Sequence, residues 1–381
     1  MIGEIRVDLA ALRHNAKVLR ELVGPKHAAF VVKSNAYGHG LVETGLAVEP
    51  YAARVCVYAL EEALALRDGG VTAPILVLGP IRPNALDDVV AAKLELALWD
   101  TGEFARKLVG AARKRQARAR VHVKINTGLN RLGFEPHELV DAVEDYLRVS
   151  EIEIAGVFSH LSSAEEIDSP SAMHQLETFE RALAPAQPLF ERHAIAPLRH
   201  IAASAAAMLW PRTRLDMSRF GIALYGLWPS KETREAMGPN GLELEPALSY
   251  SSEVVVTRSI PAGAPVGYGA SFHAPRDMRI GVVPAGYADG IPRALSNRGA
   301  FLVDGAACPI VGRVAMNVTE IDLSPAPNAH AGSKVTLIGR DGDARLGADD
   351  WAGWCDTINY EIVARLPAEL PRTYDDGAAT S

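Results

Sequence analysis

The stretch Val31-Val32-Lys33-Ser34-Asn35-Ala36-Tyr37-Gly38-His39-Gly40 organises the rest of the chain. Two β-branched residues run into a lysine, and a polar, glycine-punctuated turn then opens a helix-like stretch, 39–51. This places Lys33 at the C-terminal tip of a strand. In α/β proteins that end of a parallel strand carries the chemistry, and a partly desolvated lysine there can act as a Schiff-base nucleophile. On this fragment alone the plainer reading has the better claim, a lysine that reaches past the strand end to solvent.

Working outward, similar runs recur at 55–59, 75–78, 94–98, 121–125, 154–158, 200–203 and 222–225, with helical patterns at 61–67, 85–92, 103–113, 138–147 and 175–189 between most of them. Eight strands alternating with helices is the count a (β/α)8 barrel requires. The structural rival, a doubly wound open sheet, normally has fewer strands and a glycine-rich dinucleotide loop, and no GxGxxG follows the first strand. Before it, 8–23 reads as a helix with Asp8 as N-cap. Beyond about residue 240 helical periodicity fades, and short β-rich runs (253–258, 280–284, 301–303, 309–311, 334–338) alternate with Gly, Pro and Asp-Gly turns. The expected division is a barrel domain over 1–240 and a mostly-β domain over 241–381, with the boundary in Met237-Gly238-Pro239-Asn240-Gly241. Residues 375–381 are small and polar and are expected to fray.

Composition narrows the class. With 381 residues, 48% of them hydrophobic and 22% charged, the chain can bury a sizeable core. Its formal net charge of −7 argues against a nucleic-acid surface. Cys56, Cys308 and Cys355 are odd in number, widely spaced and without a CxxC, so buried free thiols are expected and no zinc site or disulfide framework. The N-terminus carries early acidic residues and no long apolar run, and no segment reaches the roughly 18 apolar residues of a spanning helix, so a cytoplasmic location is expected.

If the barrel reading is right, functional residues should gather where strands end. They do: Lys33 and Tyr37 follow the first strand, Lys124 through Arg131 the fifth, Ser159-His160 the sixth and Ala203-Ser204 the seventh, while Arg219 lies beside the eighth. Each has an ordinary alternative: Ser204 as a small packed residue, Tyr37 as a loop aromatic, His160 as a core histidine, Arg131 and Arg219 as surface ion-pair partners. Together they suit an anionic, aromatic, aldehyde-bearing cofactor.

VVKSNAYGHG resembles the cofactor-lysine signature of alanine racemases, which bind pyridoxal 5′-phosphate (PLP). The segments KINTGLNRLGF, GVFSHLSSAEE, RHIAASAAAML, DMSRFGIALYGL, GYGASF, PAGYADGIPR, GRVAMN and TINYEIVARL are similar to motifs of that family, in its order, from the first helix to Tyr374. The resemblance implies a homodimer in which Lys33 carries PLP and serves as one of two bases. The other base is Tyr268, contributed by the second subunit. It further implies that Tyr37, Ser204, the backbone at Gly221 and Ile222, and Tyr360 cradle the phosphate, that Arg131 reaches the cofactor's phenolic oxygen and the substrate carboxylate, that His160 lies near the ring, and that Arg219 faces the pyridine nitrogen. Tyr287 and Met316 would line the partner's half of the site, with Tyr287 and Tyr360 narrowing its entrance, and Arg293, Arg313 and Glu165 would form a charged mouth or stand as plain solvated charges. An arginine cannot give up its proton, so it weakens the cofactor as an electron sink and favours racemisation over transamination.

Four positions depart from or qualify the pattern. Asn126 and Asn317 stand where the family often has aspartate, and Glu165 where it often has Asp. Lys124 matches a lysine carbamylated in many relatives, and its state here is left open. The implied activity is interconversion of L- and D-alanine, with D-alanine supplied for peptidoglycan. The rivals are a racemase of serine or of broader range, a fold-related decarboxylase of basic amino acids, and a non-catalytic PLP-binding protein; Tyr268 with Arg219 argues against the second, and the C-terminal domain against the third.

Overall fold

Short aliphatic runs become strands here because both of their faces are covered. The computed structural model describes residues 3–24 and 28–376. Its described residues divide into two units, one of Ala11–Ala36 with Leu41–Pro246, the other of Met1–Ala10, Tyr37–Gly40 and Ala247–Ser381.

In the first unit, among the described residues, eight parallel strands pair in chain order: β2 (Ala28–Val31), β3 (Arg54–Val57), β4 (Ile75–Val77), β5 (Glu95–Leu98), β6 (Ala119–Lys124), β7 (Ile152–Phe158) and β8 (Leu198–His200), with β9 (Ser218–Phe220) on the free side of β2. Every residue of β2, β3, β4 and β5 is buried, as expected for strands with a packed barrel interior on one face and helices on the other. The ring closes through two backbone bonds, Asp216 N–H to Arg199 O and Arg219 N–H to Ala202 O, each 3.0 Å. This is the (β/α)8 barrel expected from the sequence.

One strand was misplaced by the sequence reading. The eighth is Ser218–Phe220, and Ile222–Tyr225 forms a 3-10 turn. A short, wholly buried apolar run has the same signature in either conformation. Gly221, at φ −102°, ψ −100°, swings the chain off the ladder, and Tyr225 Oη then donates to Val31 O at 2.9 Å. The stretch expected to be helical over 39–51 is a shorter helix, Leu41–Val48, followed by a 3-10 turn, Glu49–Tyr51.

Met237–Gly241 is a helix end and a 3-10 turn of the first unit, and the division falls at Pro246/Ala247. Residues just before Ala247 stay with the barrel because Asn15 brackets them: its Nδ2 donates to Glu245 O and its Oδ1 accepts from Glu245 N, both at 2.8 Å. Gly226, at φ +77°, lies so close that a Cβ there would meet Glu245 O at 1.9 Å.

The second unit is mostly β. Its larger sheet runs β16 (Ala306–Pro309), β15 (Ala300–Val303), β18 (Lys334–Asp341), β10 (Leu248–Glu253), β1 (Glu4–Asp8), β20 (Arg372–Asp375), with β19 (Ala344–Leu346) on β18. Beside it lie a sheet of β11 (Val256–Ile260), β14 (Met278–Val283) and β17 (Thr319–Asp322) and a ribbon of β12 (Pro265–Val266) and β13 (Phe272–His273). Asp8 therefore closes a strand, and the helix after it is Leu9–Val23. Of the tail expected to fray, Asp375 pairs with Asp8 in β20, and 377–381 lie outside the described residues. Cys56 and Cys308 are buried and free, and Cys355 is half-buried and free.

Candidate active site

Lys33 follows β2 where the chain makes an unusual turn. Ser34, Asn35, Ala36 and Tyr37 all sit at φ between +52° and +57°, one turn of left-handed helix built without glycine. Each L-residue there costs about 1–2 kcal/mol, so the surroundings must hold the turn. Ala36 N–H donates to Val32 O at 2.8 Å, Asn35 Oδ1 accepts from Leu41 N at 3.0 Å, and the Glu62 carboxylate accepts from Ser34 N. The Lys33 ammonium lies 5.7 Å from the centroid of the Tyr58 ring. Burial first, then the charge of Arg131, pulls its pKa below the ordinary lysine value, while Glu62 opposes the shift. The amine is thereby made more available as a nucleophile and base.

Around the same C-terminal rim stand the other residues singled out in the barrel. Lys124 ends β6, buried, with Nζ 5.4 Å from the Phe158 ring centroid and 6.0 Å from that of Trp99. Burial, with Arg131 and Arg219 adding to it, pushes Lys124 down to about 8. Arg131 is exposed in the loop after β6. Asn126 braces that loop: its Nδ2 donates to Asn130 Oδ1 at 2.9 Å and Glu135 Oε1 at 2.8 Å, and its Oδ1 accepts from Asn130 N at 3.0 Å. An aspartate could not donate to Glu135, so the amide fits its local partners. Glu165 is half-buried.

Arg219, on β9, is buried and donates in several directions: Nη1 to His200 Nδ1 at 2.6 Å, Nη2 to Ser159 O at 2.8 Å, and Nη2 to His160 Nδ1 and Ile201 O at 3.2 Å. Burial lowers it to about 10, which still leaves a cation at neutral pH. His160 is driven to about 3 by burial and then by Arg219, Arg131, Lys124 and Lys33, so its ring is neutral. Ser204 begins the helix Ser204–Leu209, and its Oγ accepts from Gly221 N at 3.1 Å. The Gly221 N–H is thus engaged, the Ser204 hydroxyl proton is left to donate elsewhere, and the N–H groups of Ile222 and Ala223 head a 3-10 turn that offers them no carbonyl.

The second unit places the remaining residues. Tyr37 and Tyr360 have ring centroids 6.3 Å apart at 52°, and burial raises Tyr37 to about 12, so its phenol stays a donor. Tyr268, on a 3-10 turn between Gly267 (φ +67°) and Gly269 (φ +70°), is 74% exposed. Tyr287 and Met316 are exposed at 45% and 56%, and their segments are tied together by Tyr287 N–H to Ala315 O at 2.9 Å and Ala288 N–H to Met316 O at 2.8 Å. Asn317 Nδ2 donates to the Asp289 carboxylate at 3.3 Å. Arg293 and Arg313 are exposed.

The family models for the alanine racemase N-terminal and C-terminal domains match residues 7–229 and 247–374. The chain belongs to the alanine racemase family. Its reaction is the interconversion of L- and D-alanine, and it is an isomerase. The alanine racemase of Symbiobacterium thermophilum is 38% identical over 97% of this chain and 96% of its own length. The crystal structure of alanine racemase from D-cycloserine-producing Streptomyces lavendulae superposes with a TM-score of 0.90 at 34% identity, covering 98% of this chain and 97% of that one. The Bacillus anthracis enzyme with bound L-Ala-P matches with a TM-score of 0.88 at 32% identity, covering 98% and 95%.

The sequence reading missed the groups that set up the rim from behind. Tyr58 beside Lys33, Trp99 and Phe158 around Lys124, and His200 against Arg219 sit at or just beyond strand ends, and Glu62 lies in the first turn of the helix Leu60–Asp68. His122 did carry a signal, since a histidine between the valines of a buried strand needs polar partners.

Proposed function

We propose that this enzyme racemises alanine with PLP carried on Lys33 and with Lys33 and the Tyr268 of a second copy as its two bases. The observation that carries the reading is the barrel rim, which combines a partly desolvated lysine, a buried arginine that can only donate, and a serine hydroxyl beside open backbone N–H groups. These groups fit the cofactor. Ser204 Oγ–H and the N–H groups of Ile222 and Ala223 suit a phosphate, with Gly221 acting through Ser204, and the Tyr37 and Tyr360 hydroxyls, neighbours in the second unit, are donors of the same kind. When bound, PLP supplies a conjugated electron-withdrawing ring that acidifies the substrate's Cα–H.

The chain's own part is to hold and move protons. Lys33 Nζ, its charge disfavoured by burial, takes the α-proton from one face or returns it there; Tyr268 Oη does the same on the opposite face. Arg219 keeps its proton and would offer only N–H to the ring nitrogen, and His160 stays neutral beside Arg219. Arg131 holds the substrate carboxylate, and a carbamate on Lys124 would steady it: at about 8, roughly a tenth of the amine is neutral at pH 7, the form that takes up CO2. Tyr287 and Met316 line the partner's half-site, and the exposure of these large side chains with Tyr268 supports a symmetric dimer. Its product would serve peptidoglycan synthesis inside the cell. Among the described residues no helix is long and apolar enough to cross a membrane.

The test is L-alanine with the PLP-loaded enzyme in deuterated water, following D-alanine and α-deuterium. Lys33→Ala and Tyr268→Phe should each lose racemisation, the second unequally in the two directions. Co-refolded, the two variants should recover about a quarter of wild-type activity, because half of the dimers are hybrids with one intact site of two. Unchanged turnover in both variants would remove the assigned bases, no recovery on mixing would remove the shared site, and faster turnover of L-serine would favour the serine reading.

A further inference from the structure

Below the rim, inside the barrel, a line of hydrogen bonds runs from Arg219 to the N-terminal ends of the strands. Arg219 Nη1 lies 2.6 Å from His200 Nδ1, His200 Nε2 lies 2.8 Å from His122 Nδ1, and His122 Nε2 lies 2.9 Å from Glu95 Oε2. Glu95, the first residue of β5, also accepts from Arg54 (Nε at 2.6 Å, Nη2 at 3.3 Å) and from Arg120 Nε at 3.0 Å. The members from Arg219 to Glu95 are all at most 3% exposed.

Elementary donor counting fixes every proton in this line. A guanidinium can only donate, so His200 Nδ1 must accept and the ring hydrogen sits on Nε2. His200 therefore donates to His122 Nδ1, which places the second ring's hydrogen on Nε2 and directs it at the carboxylate. Burial alone would raise Glu95, but the bonds donated by His122 and Arg54 hold it at about 2, so this end of the line is a fixed acceptor. Burial lowers both imidazoles, in line with neutral rings. The space is built for the line: a Cβ on Gly156 would come within 2.3 Å of His122 Nδ1, and Phe158 stacks on His200 at 4.8 Å and 4°.

We propose that Glu95 is a positioning residue for Arg219, acting through His122 and His200: it supplies the terminal acceptor without which the Nε2–H tautomers that the guanidinium demands would leave a buried donor unpaired. Were the line reversed, His200 Nδ1–H would oppose Arg219 N–H, and one buried donor would lose its partner. The catalytic consequence rests on the reading of Arg219 as the group facing the cofactor ring; the tautomers do not depend on it.

The test is long-range 1H–15N NMR on the PLP-loaded enzyme labelled with 15N-histidine. His122 and His200 should both appear as neutral Nε2–H tautomers on either side of the ordinary histidine midpoint of about 6.5. A charged ring or an Nδ1–H tautomer at either position in the wild type overturns the proposal, whether or not any variant folds. In Glu95→Gln an NH2 donor replaces one of the two acceptor oxygens, and turned toward His122 it donates to Nε2, so Nδ1–H signals should appear at His122 and His200. The visible absorbance of the bound cofactor should shift, and kcat should fall roughly 10-fold, the lower end of what loss of an outer partner does at metal-bound imidazoles. Glu95→Asp should recover the wild-type tautomers. A folded Glu95→Gln protein with both tautomers retained would refute the positioning role. A tautomer change that leaves spectrum and kcat untouched would refute its reach to the active site, while absent racemisation in a wild type with the expected tautomers would count against the assigned reaction alone.

Discussion

Gly38 is where the stretch that follows Lys33 can be perturbed with a magnitude worked from geometry. Its φ is +83°, and a Cβ there would stand 2.1 Å from Val363 O, a backbone atom that cannot rotate away. Gly38 O also accepts from Arg372 Nε at 2.9 Å, so the segment cannot simply lift off. Gly38→Ala therefore incurs about 1–2 kcal/mol for the backbone conformation and about 1–3 kcal/mol for forcing atoms into filled space. For a domain of about 150 residues, at about 2–4 °C per kcal/mol, the total of about 2–5 kcal/mol lowers the melting temperature by roughly 4–20 °C. Gly263 supplies the control in the same unit, with φ +81° and no atom within 4 Å of the built Cβ. Gly263→Ala carries only the backbone cost, about 2–8 °C. Scanning calorimetry of the two variants separates the contributions. Equal shifts in the two variants, or a larger one for Gly263→Ala, would refute the collision argument.

Two further outcomes are expected. Asn317→Asp sets a second carboxylate against Asp289, replacing a donated hydrogen bond with like-charge repulsion; it should destabilise the second unit by about 1–2 kcal/mol at neutral pH and recover as pH falls into the carboxylate range, as followed by urea unfolding against pH. Lys124→Met, measured without cofactor and in CO2-free buffer, should stabilise the protein. Folding lowers the lysine from 10.5 to about 8, so the wild type bears the full cost of its buried charge below pH 8 and loses that cost as pH rises to 10.5. The gap at pH 7 should be on the order of 3 kcal/mol and should close over that range; a gap independent of pH would remove desolvation as its cause.

Much of the barrel was legible because its strands are short, aliphatic and separated by helical periodicity, and because its chemistry-bearing residues sit just beyond strand ends. Ile222–Tyr225 was not, since four consecutive buried apolar residues read alike as strand or turn, and only Gly221's conformation separates them. β1 was hidden by its brevity and by its partner β10, far away in the chain. Gly38 and Gly40 did announce themselves as turn residues. The left-handed run before them did not, because Ser34 and Ala36 have no compositional reason to leave the right-handed region, a single Asn35 does not announce a whole turn there, and the run is held by Glu62 and by the Leu41 N–H.

The same division between local and long-range information explains the electrostatics of the rim. Lys33, Lys124 and His160 have each had their charged form disfavoured by burial, and each feels Arg131 in addition. Arg219, which cannot neutralise itself at physiological pH, presses further on Lys124 and His160. The carboxylates that answer these cations stand back from the rim: Glu62 braces the Lys33 turn, and Glu95 meets Arg219 only through two imidazoles. Such an arrangement is costly for the protein alone and favourable once negative groups, such as the carboxylate of the substrate and the phosphate of the proposed cofactor, enter. A rim of this kind stores part of its binding energy as repulsion among its own groups, which is why its residues look unremarkable one by one in the sequence and act as a site only when the strands bring them to the same edge.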